Sequence, residues 1–511
     1  MDHSRSRQFD RRSLLRRLAG AASWPLSRRA SIGGLLGIVG CSGSRSEPRV
    51  TGTGPTTDTE STSARWLRGA VVGDSMAPHF LGAHYLATCS YCDLPTPMTL
   101  RWEPDAPWIC PLCGQLANAT RSLSSGDQVL VESVAGWSEE RMRAELARWQ
   151  VVAISYRDNS QPTDSGDGPT TWTLKRIWGL PTESPRLVDG VFWDGERPLV
   201  KPWTTQCETR VHVHGDSEPT ERLDADSRLA FDAERLDEPN LSRWRQSARA
   251  SHWKPAGVDS NWQRESSGWA ARLAASNDDE SIIAERSTLR FHHRRAVFGE
   301  DTIDGAEPTP VENALPFDPV TPRRLWPVAG LMVTLELKLL SPSMLEVRVH
   351  DGTDWVRWIF HGNEGRCEVR ARDEVLGEFH WKPQAGWSSV GVSTFDRHAS
   401  TWAANPLHEP LSLPGRDSGE SRQFLDSPIE LRALGAVEVR NLHVWRDLFP
   451  TAPRGGGRDW ELGRALESDE YLVLGDNFPV SIDSRQSQRG VRREEIVGVI
   501  RPWTELPATH D

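Results

Sequence analysis

Hydrolytic chemistry in this chain can rest on two residues, Ser75 and Lys175. Ser75 lies in Val71-Val72-Gly73-Asp74-Ser75-Met76-Ala77-Pro78, and Lys175 in Leu174-Lys175-Arg176-Ile177-Trp178-Gly179. A serine hydroxyl is a poor nucleophile until a base takes its proton. Apart from His79, just behind Ser75, no histidine occurs in these blocks, so Lys175 is the candidate base. An unperturbed lysine, with a pKa of about 10.4, is neutral in fewer than about one molecule in a thousand at pH 7. It works as a base only when burial draws its pKa towards roughly 7–8. Thr173, Leu174, Ile177 and Trp178 suit a desolvated strand around it. Only five of the 60 basic residues are lysines (175, 201, 254, 338 and 382), so a lysine inside a motif stands out.

A second chemistry belongs to the cysteines. Cys89-Ser90-Tyr91-Cys92 is followed, after seventeen residues, by Cys110-Pro111-Leu112-Cys113. Two such knuckles at this separation read as a four-thiolate zinc ribbon, a closed and therefore structural site. Two disulfides are the alternative, favoured by an oxidising exterior. Of seven cysteines, Cys41, Cys207 and Cys367 remain, the last two as candidates for a disulfide.

These residues need strands to hold them. Gly126-Asp127 turns into Gln128–Val131, and Leu187–Val188 and Val191–Trp193 flank Asp189-Gly190 as a hairpin. From Met332 onward, apolar and polar residues alternate in short runs: 332–339, 345–350, 355–360, 367–370, 389–393, 429–432 and 437–445. This rhythm argues an antiparallel sandwich. It resembles a concanavalin or laminin-G type domain, whose relatives bind sugars or proteins. A spacer or docking role fits it equally, since fold does not set function.

A last block, Tyr471 to Arg485, contains Gly475-Asp476-Asn477 and Ser481-Ile482-Asp483-Ser484-Arg485. Taken with the Ser75, Gly126-Asp127 and Lys175 blocks, in this order, it resembles type I signal peptidases, the Ser/Lys membrane proteases. The matching segments cover about 65–88, 122–203 and 460–505. The resemblance implies a mainly β fold, with a coiled β-barrel core split by the zinc ribbon and by the sandwich. It implies Ser75 as nucleophile, Lys175 as general base and the Ser75 N–H as oxyanion donor. It further implies that Ser481 orients the lysine, that Asp483 and Arg485 form a supporting ion pair, and that Asp476 pairs with Arg176. No catalytic cofactor is implied. The chain departs from the family's pattern at Gly73, where some members carry a hydroxyl, at His79 in place of Thr, and at Phe478 in place of Arg. It also lacks the family's N-terminal transmembrane helix.

The N-terminal region offers a different anchor. Asp10-Arg11-Arg12-Ser13-Leu14-Leu15 resembles a twin-arginine export signal, and the apolar run Ile32–Val39 is too short to span a bilayer. It ends Ile38-Val39-Gly40-Cys41, which resembles a lipobox whose cysteine is lipidated. A basic tail with a chance Gly-Cys is the alternative. Residues 42–64 read as a flexible Ser/Thr/Gly/Pro-rich linker.

With 511 residues, the chain is long enough for two to four domains. At 37% hydrophobic it is not a polytopic membrane protein. Its net charge of −11 argues against nucleic acid as a partner. The expected organisation is 1–41 export signal, 42–64 linker, 65–88, 116–203 and 455–511 peptidase core, 89–115 zinc ribbon and 204–454 sandwich. The expected protein is a lipid-anchored endopeptidase on the extracytoplasmic, periplasmic face of the cell membrane, cleaving signal peptides from exported preproteins. The rival expectation is a decayed peptidase fold serving as an envelope binding or scaffold protein through its sandwich. A self-cleaving Ser/Lys protein fits less well, because no DNA-binding domain is visible.

Overall fold

Runs of β-branched and apolar residues without helical period build the sheet that carries the candidate site. Gln128–Ser133, Val151–Ser155 and Ile496–Arg501 are buried along nearly their whole length, on both faces. The structure, a computed structural model, describes residues 38–40, 66–89, 95–100, 108–109, 116–117, 119–155, 171–216, 252–265, 268–272, 287–298, 303–315, 324–383, 386–403, 409–414 and 422–501. The protein is mainly β, 51% strand and 9% helix, with large antiparallel sheets and a nearly closed barrel-like sheet.

The barrel strands in chain order are β1 (Ile38–Gly40), β2 (Trp66–Val71), β3 (Gln128–Ser133), β4 (Val151–Ser155), β5 (Thr171–Gly179), β6 (Glu470–Leu474), β7 (Val491–Arg492) and β8 (Ile496–Arg501). Their order across the sheet is β1-β2-β3-β8-β4-β5-β6-β7. On one edge of β5, Lys175 stands opposite Val152 of β4; on the other, Arg176 stands opposite Leu474 of β6. Ile38 of β1 stands opposite both Val71 and Trp172, so β1 lies between β2 and β5. Cys41, the candidate lipid site, lies outside the described residues, as do the rest of the export signal and the linker.

Between β2 and β3, strands His84–Cys89, Pro95–Thr99 and Ala119–Ser124 form a small sheet, and Trp108–Ile109 pairs with Leu116–Ala117. The first cysteine pair falls where His84–Cys89 passes to Pro95–Thr99, and the second between paired Ile109 and Leu116. Cys92, Cys110, Cys113 and the Cys89 side chain lie outside the described residues.

The inserted sandwich is built on two long strands, Leu331–His350 and Ile429–Arg446, paired along their length. The sequence reading has each as two runs, 332–339 with 345–350 and 429–432 with 437–445. Instead, each runs on through a register shift between Leu340 and Met344; Leu331–His350 pairs with Ser388–Ser393 before the shift and with Trp355–His361 after it. Gly435 permits the shift: its φ is +89°, and a Cβ there would lie 2.7 Å from the Pro342 carbonyl oxygen. The core between the layers includes Trp253, Phe291, Trp358 and Phe360, all fully buried. On Trp355–His361, burial alternates along the strand, which is the signature of a half-buried sheet. Cys207 and Cys367 are free thiols, so the disulfide considered for them is absent. Cys367 is consumed by the apolar core, while Cys207 packs beside Trp203, Met332 and Phe395. Among the described residues, no helix is long and apolar enough to cross a membrane.

Candidate active site

Ser75 sits in the turn that follows β2, and Gly126-Asp127 clamps that turn from behind. The Asp127 carbonyl accepts from Val71 N–H at 2.9 Å, its N–H donates to the Leu81 carbonyl at 2.8 Å, and its carboxylate accepts from Leu81 N–H at 2.7 Å. Gly126 has φ +89°, and a Cβ there would strike the Val71 carbonyl oxygen at 2.6 Å, so this turn requires glycine. On the other side, Asn477 N–H donates to the Ser75 carbonyl at 3.0 Å and Asn477 Nδ2 donates to the Asp74 carbonyl at 3.0 Å. Among the described residues no group accepts from the Ser75 N–H. Ser75 itself is buried, while Val72 before it and Ile482 after Ser481 expose apolar side chains.

Lys175 projects from the centre of β5 and is 3% exposed. Its Nζ donates to Ser481 Oγ at 3.1 Å. Burial lowers its pKa to about 8; Asp483 raises it, Arg485 lowers it, and Asp476 raises it, in decreasing order of weight. Gly475 draws the parts together. A Cβ at Gly475 would lie 2.3 Å from both the Ser481 hydroxyl and the Ser75 carbonyl oxygen, so these two stand side by side only over a residue without a side chain. The Ser75 hydroxyl and the Lys175 amine are not hydrogen-bonded to one another; the amine is turned to Ser481.

Two buried ion pairs fix the frame. Arg176 Nε donates to Asp476 Oδ1 at 3.0 Å and its Nη2 to Oδ2 at 2.7 Å, a bidentate pair across β5 and the end of β6. Burial works to raise the Asp476 pKa, but Arg176 beside it and the hydrogen bond from His79 hold it well below the usual carboxylate range. Arg485 grips Asp483 in the same bidentate way, at 2.8 and 2.7 Å. It also donates to the carbonyls of Phe478 and Thr451. Asp483 in turn accepts from Gly475 N–H at 3.1 Å and caps the short helix Ser484–Ser487. The supporting residues thus reach Ser75 and Lys175 through Gly475 and Ser481.

Two residues read from the sequence only as departures have definite places. His79 Nδ1 faces Asp476 Oδ2 at 2.8 Å. Phe478 is buried edge-on against Trp178, with ring centroids 5.7 Å apart, and the Arg485 guanidinium lies 5.2 Å from its ring. A third residue had no signal at all. Lys201, where the chain leaves the barrel for the sandwich, is 1% exposed and holds Asp396 and, at 3.0 Å, Asp447, both from the sandwich side. Its partners lie about two hundred residues away, and no local pattern marks them.

Comparison of the sequence with family models and with curated proteins gives no match. Solved structures with some likeness include a carbohydrate-binding module, CBM66, from Bacillus subtilis, at 7% identity and TM-score 0.24, covering 38% of this chain and 96% of that one. A Bacillus licheniformis beta-glucanase gives 7% identity and TM-score 0.23, covering 38% and 92%. Sheep galectin-11 gives 16% identity and TM-score 0.17, covering 23% and 90%. At these scores the likenesses bear on no site.

Proposed function

We propose that the chain is a serine endopeptidase of signal peptidase I type, cleaving signal peptides from exported preproteins at a membrane surface. The observation that carries this reading is a fully buried lysine that donates to a serine hydroxyl, next to the backbone of a second serine. Ser75 Oγ attacks the scissile carbonyl carbon while the neutral Lys175 amine takes its proton. The Ser75 N–H, with no acceptor among the described residues, serves the developing oxyanion. The Lys175 ammonium then protonates the leaving amine, the peptide C–N bond breaks, and water hydrolyses the acyl-enzyme by the same route in reverse. Catalytic hydrogen bonds in an empty site are often long and tighten with substrate, which accommodates the present turn of Lys175 towards Ser481. Val72 and Ile482, exposed on either side, suit an apolar segment of substrate.

Zinc on Cys89, Cys92, Cys110 and Cys113 and a lipid on Cys41 belong to the same reading. Their support is the spacing, the paired strands on either side of both knuckles, and the order of basic region, apolar run and Gly-Cys. One zinc per purified chain is expected; a metal-free, oxidised sample would overturn the ribbon. Purified full-length chain is expected to cleave a preprotein, with Ser75→Ala and Lys175→Ala each inactive by roughly a thousandfold or more. Full activity in either variant would overturn the mechanism.

One observation favours the rival, a decayed fold acting as a binding module: the missing Ser75–Lys175 hydrogen bond. On that reading wild-type protein cleaves no preprotein, and a carbohydrate or protein ligand is retained by the Ser75→Ala variant.

A further inference from the structure

His79 touches both the candidate site and the inserted domain. Its Nδ1 lies 2.8 Å from Asp476 Oδ2, the oxygen that also accepts from Arg176, while its Nε2 lies 3.4 Å from the carbonyl oxygen of Arg210. Arg210 caps the helix Trp203–Thr209, which leads into the sandwich, and its guanidinium lies 3.9 Å from the Trp445 ring on the sandwich. The ring donates from Nδ1 to the Asp476 carboxylate, while its Nε2 edge rests against the Arg210 carbonyl. We propose that His79 is a positioning residue: seated on Arg210 of the inserted domain, it holds and partly neutralises Asp476, and thereby sets the charge felt by Lys175. This rests on the reading of Lys175 as the base.

The electrostatics follow from the groups around the amine. Lys175 feels carboxylates of Asp483 and Asp476 and the guanidinium of Arg485, and donates to Ser481. Arg176, next to it on β5, and His79 are the two donors to Asp476. Withdrawing the His79 donor leaves more of the Asp476 charge uncompensated. A more exposed negative charge favours the ammonium, so Lys175 holds its proton to higher pH.

With five lysines in the chain, selective 13Cε-lysine labelling allows Lys175 to be followed directly, its signal assigned by its loss in Lys175→Met. In wild-type protein the midpoint is expected near pH 8. In His79→Ala it is expected to rise by on the order of half a pH unit, and His79→Gln, which restores a donor, returns it most of the way. If His79→Ala does not fold, His79→Leu keeps the bulk without the donor and gives the same reading. An unchanged midpoint in the donor-less variants, or equal shifts in Leu and Gln variants, would overturn the proposal. The acid limb of preprotein cleavage should move with the same sign. Should Ser75→Ala retain cleavage while the lysine still shifts, the peptidase reading fails and the role of His79 stands.

Discussion

Lys175 and Lys201 are both withdrawn from water, one on a barrel strand and the other where the barrel passes to the sandwich, yet their surroundings drive the proton in opposite directions. Lys175 has a hydroxyl partner, and burial lowers its pKa to about 8. At Lys201 burial also pulls downward, but Asp396 and Asp447 together outweigh it and raise the pKa. The rings of Trp149 and Trp178 line the second site at 5.2 and 5.9 Å. Burial alone therefore does not make a base. What distinguishes the barrel site is that its carboxylates are already spent on Arg176 and Arg485, leaving the amine a neutral acceptor of its hydrogen. The junction lysine is instead a structural cation that joins two parts of the fold.

Methionine, similar in shape and without charge, breaks this comparison most directly. Lys201→Met strands two buried aspartates and should cost about 3–5 kcal/mol, read by denaturant unfolding. Lys175→Met removes a cation that the fold disfavours. Its folded pKa lies below the unfolded value, so the penalty is complete below about pH 8 and fades as the pH rises towards 10.5. At pH 7 this variant should gain stability, up to about 3 kcal/mol, while losing cleavage. Equal losses in both variants would erase the distinction. In the wild-type protein, kcat/KM for a preprotein should rise with pH through about 8 as Lys175 deprotonates.

A smaller effect tests the geometry of the barrel site. Gly475→Ala places a methyl 2.3 Å from the Ser481 hydroxyl and the Ser75 carbonyl. Overpacking of this kind costs about 1–3 kcal/mol. The expected result is a folded protein with cleavage strongly reduced, because the serines are pushed apart. Unimpaired cleavage would mean that their juxtaposition over Gly475 does not matter.

The two regions were unequally legible in the sequence. Ser75, Lys175, Ser481 and the two Asp–Arg pairs stand in short motifs whose order resembles a known family, and that resemblance led to each of them. His79 and Phe478 were visible only as departures, because their partners, Arg210 and Trp178, come from other segments. The sandwich was readable as alternating strands, but the gaps between 332–339 and 345–350 and between 429–432 and 437–445 are register shifts inside continuous strands. Lys201, Asp396 and Asp447 were invisible, since the cost that unites them arises only when distant segments bury them together.

Asp447 offers the finest test of the junction. Burial raises its pKa to about 7, with Lys201 pulling down and Asp396 pushing up, and its Oδ1 is buried without a hydrogen-bond partner. Burial explains the direction: Lys201 offsets it only in part and Asp396 adds to it, so Asp447 binds a proton more readily than in the unfolded chain. Between about pH 4 and 7 the folded state therefore holds a proton that the unfolded state lacks, and stability falls as pH rises, by at most about 1.4 kcal/mol per pH unit. Asp447→Asn keeps the shape and removes the titration. Its unfolding free energy should lack this downward component, so the difference between variant and wild type should tilt in the variant's favour as the pH climbs from 4 to 7. Parallel profiles would show that Asp447 stays ionised throughout, and that Lys201 balances two full negative charges.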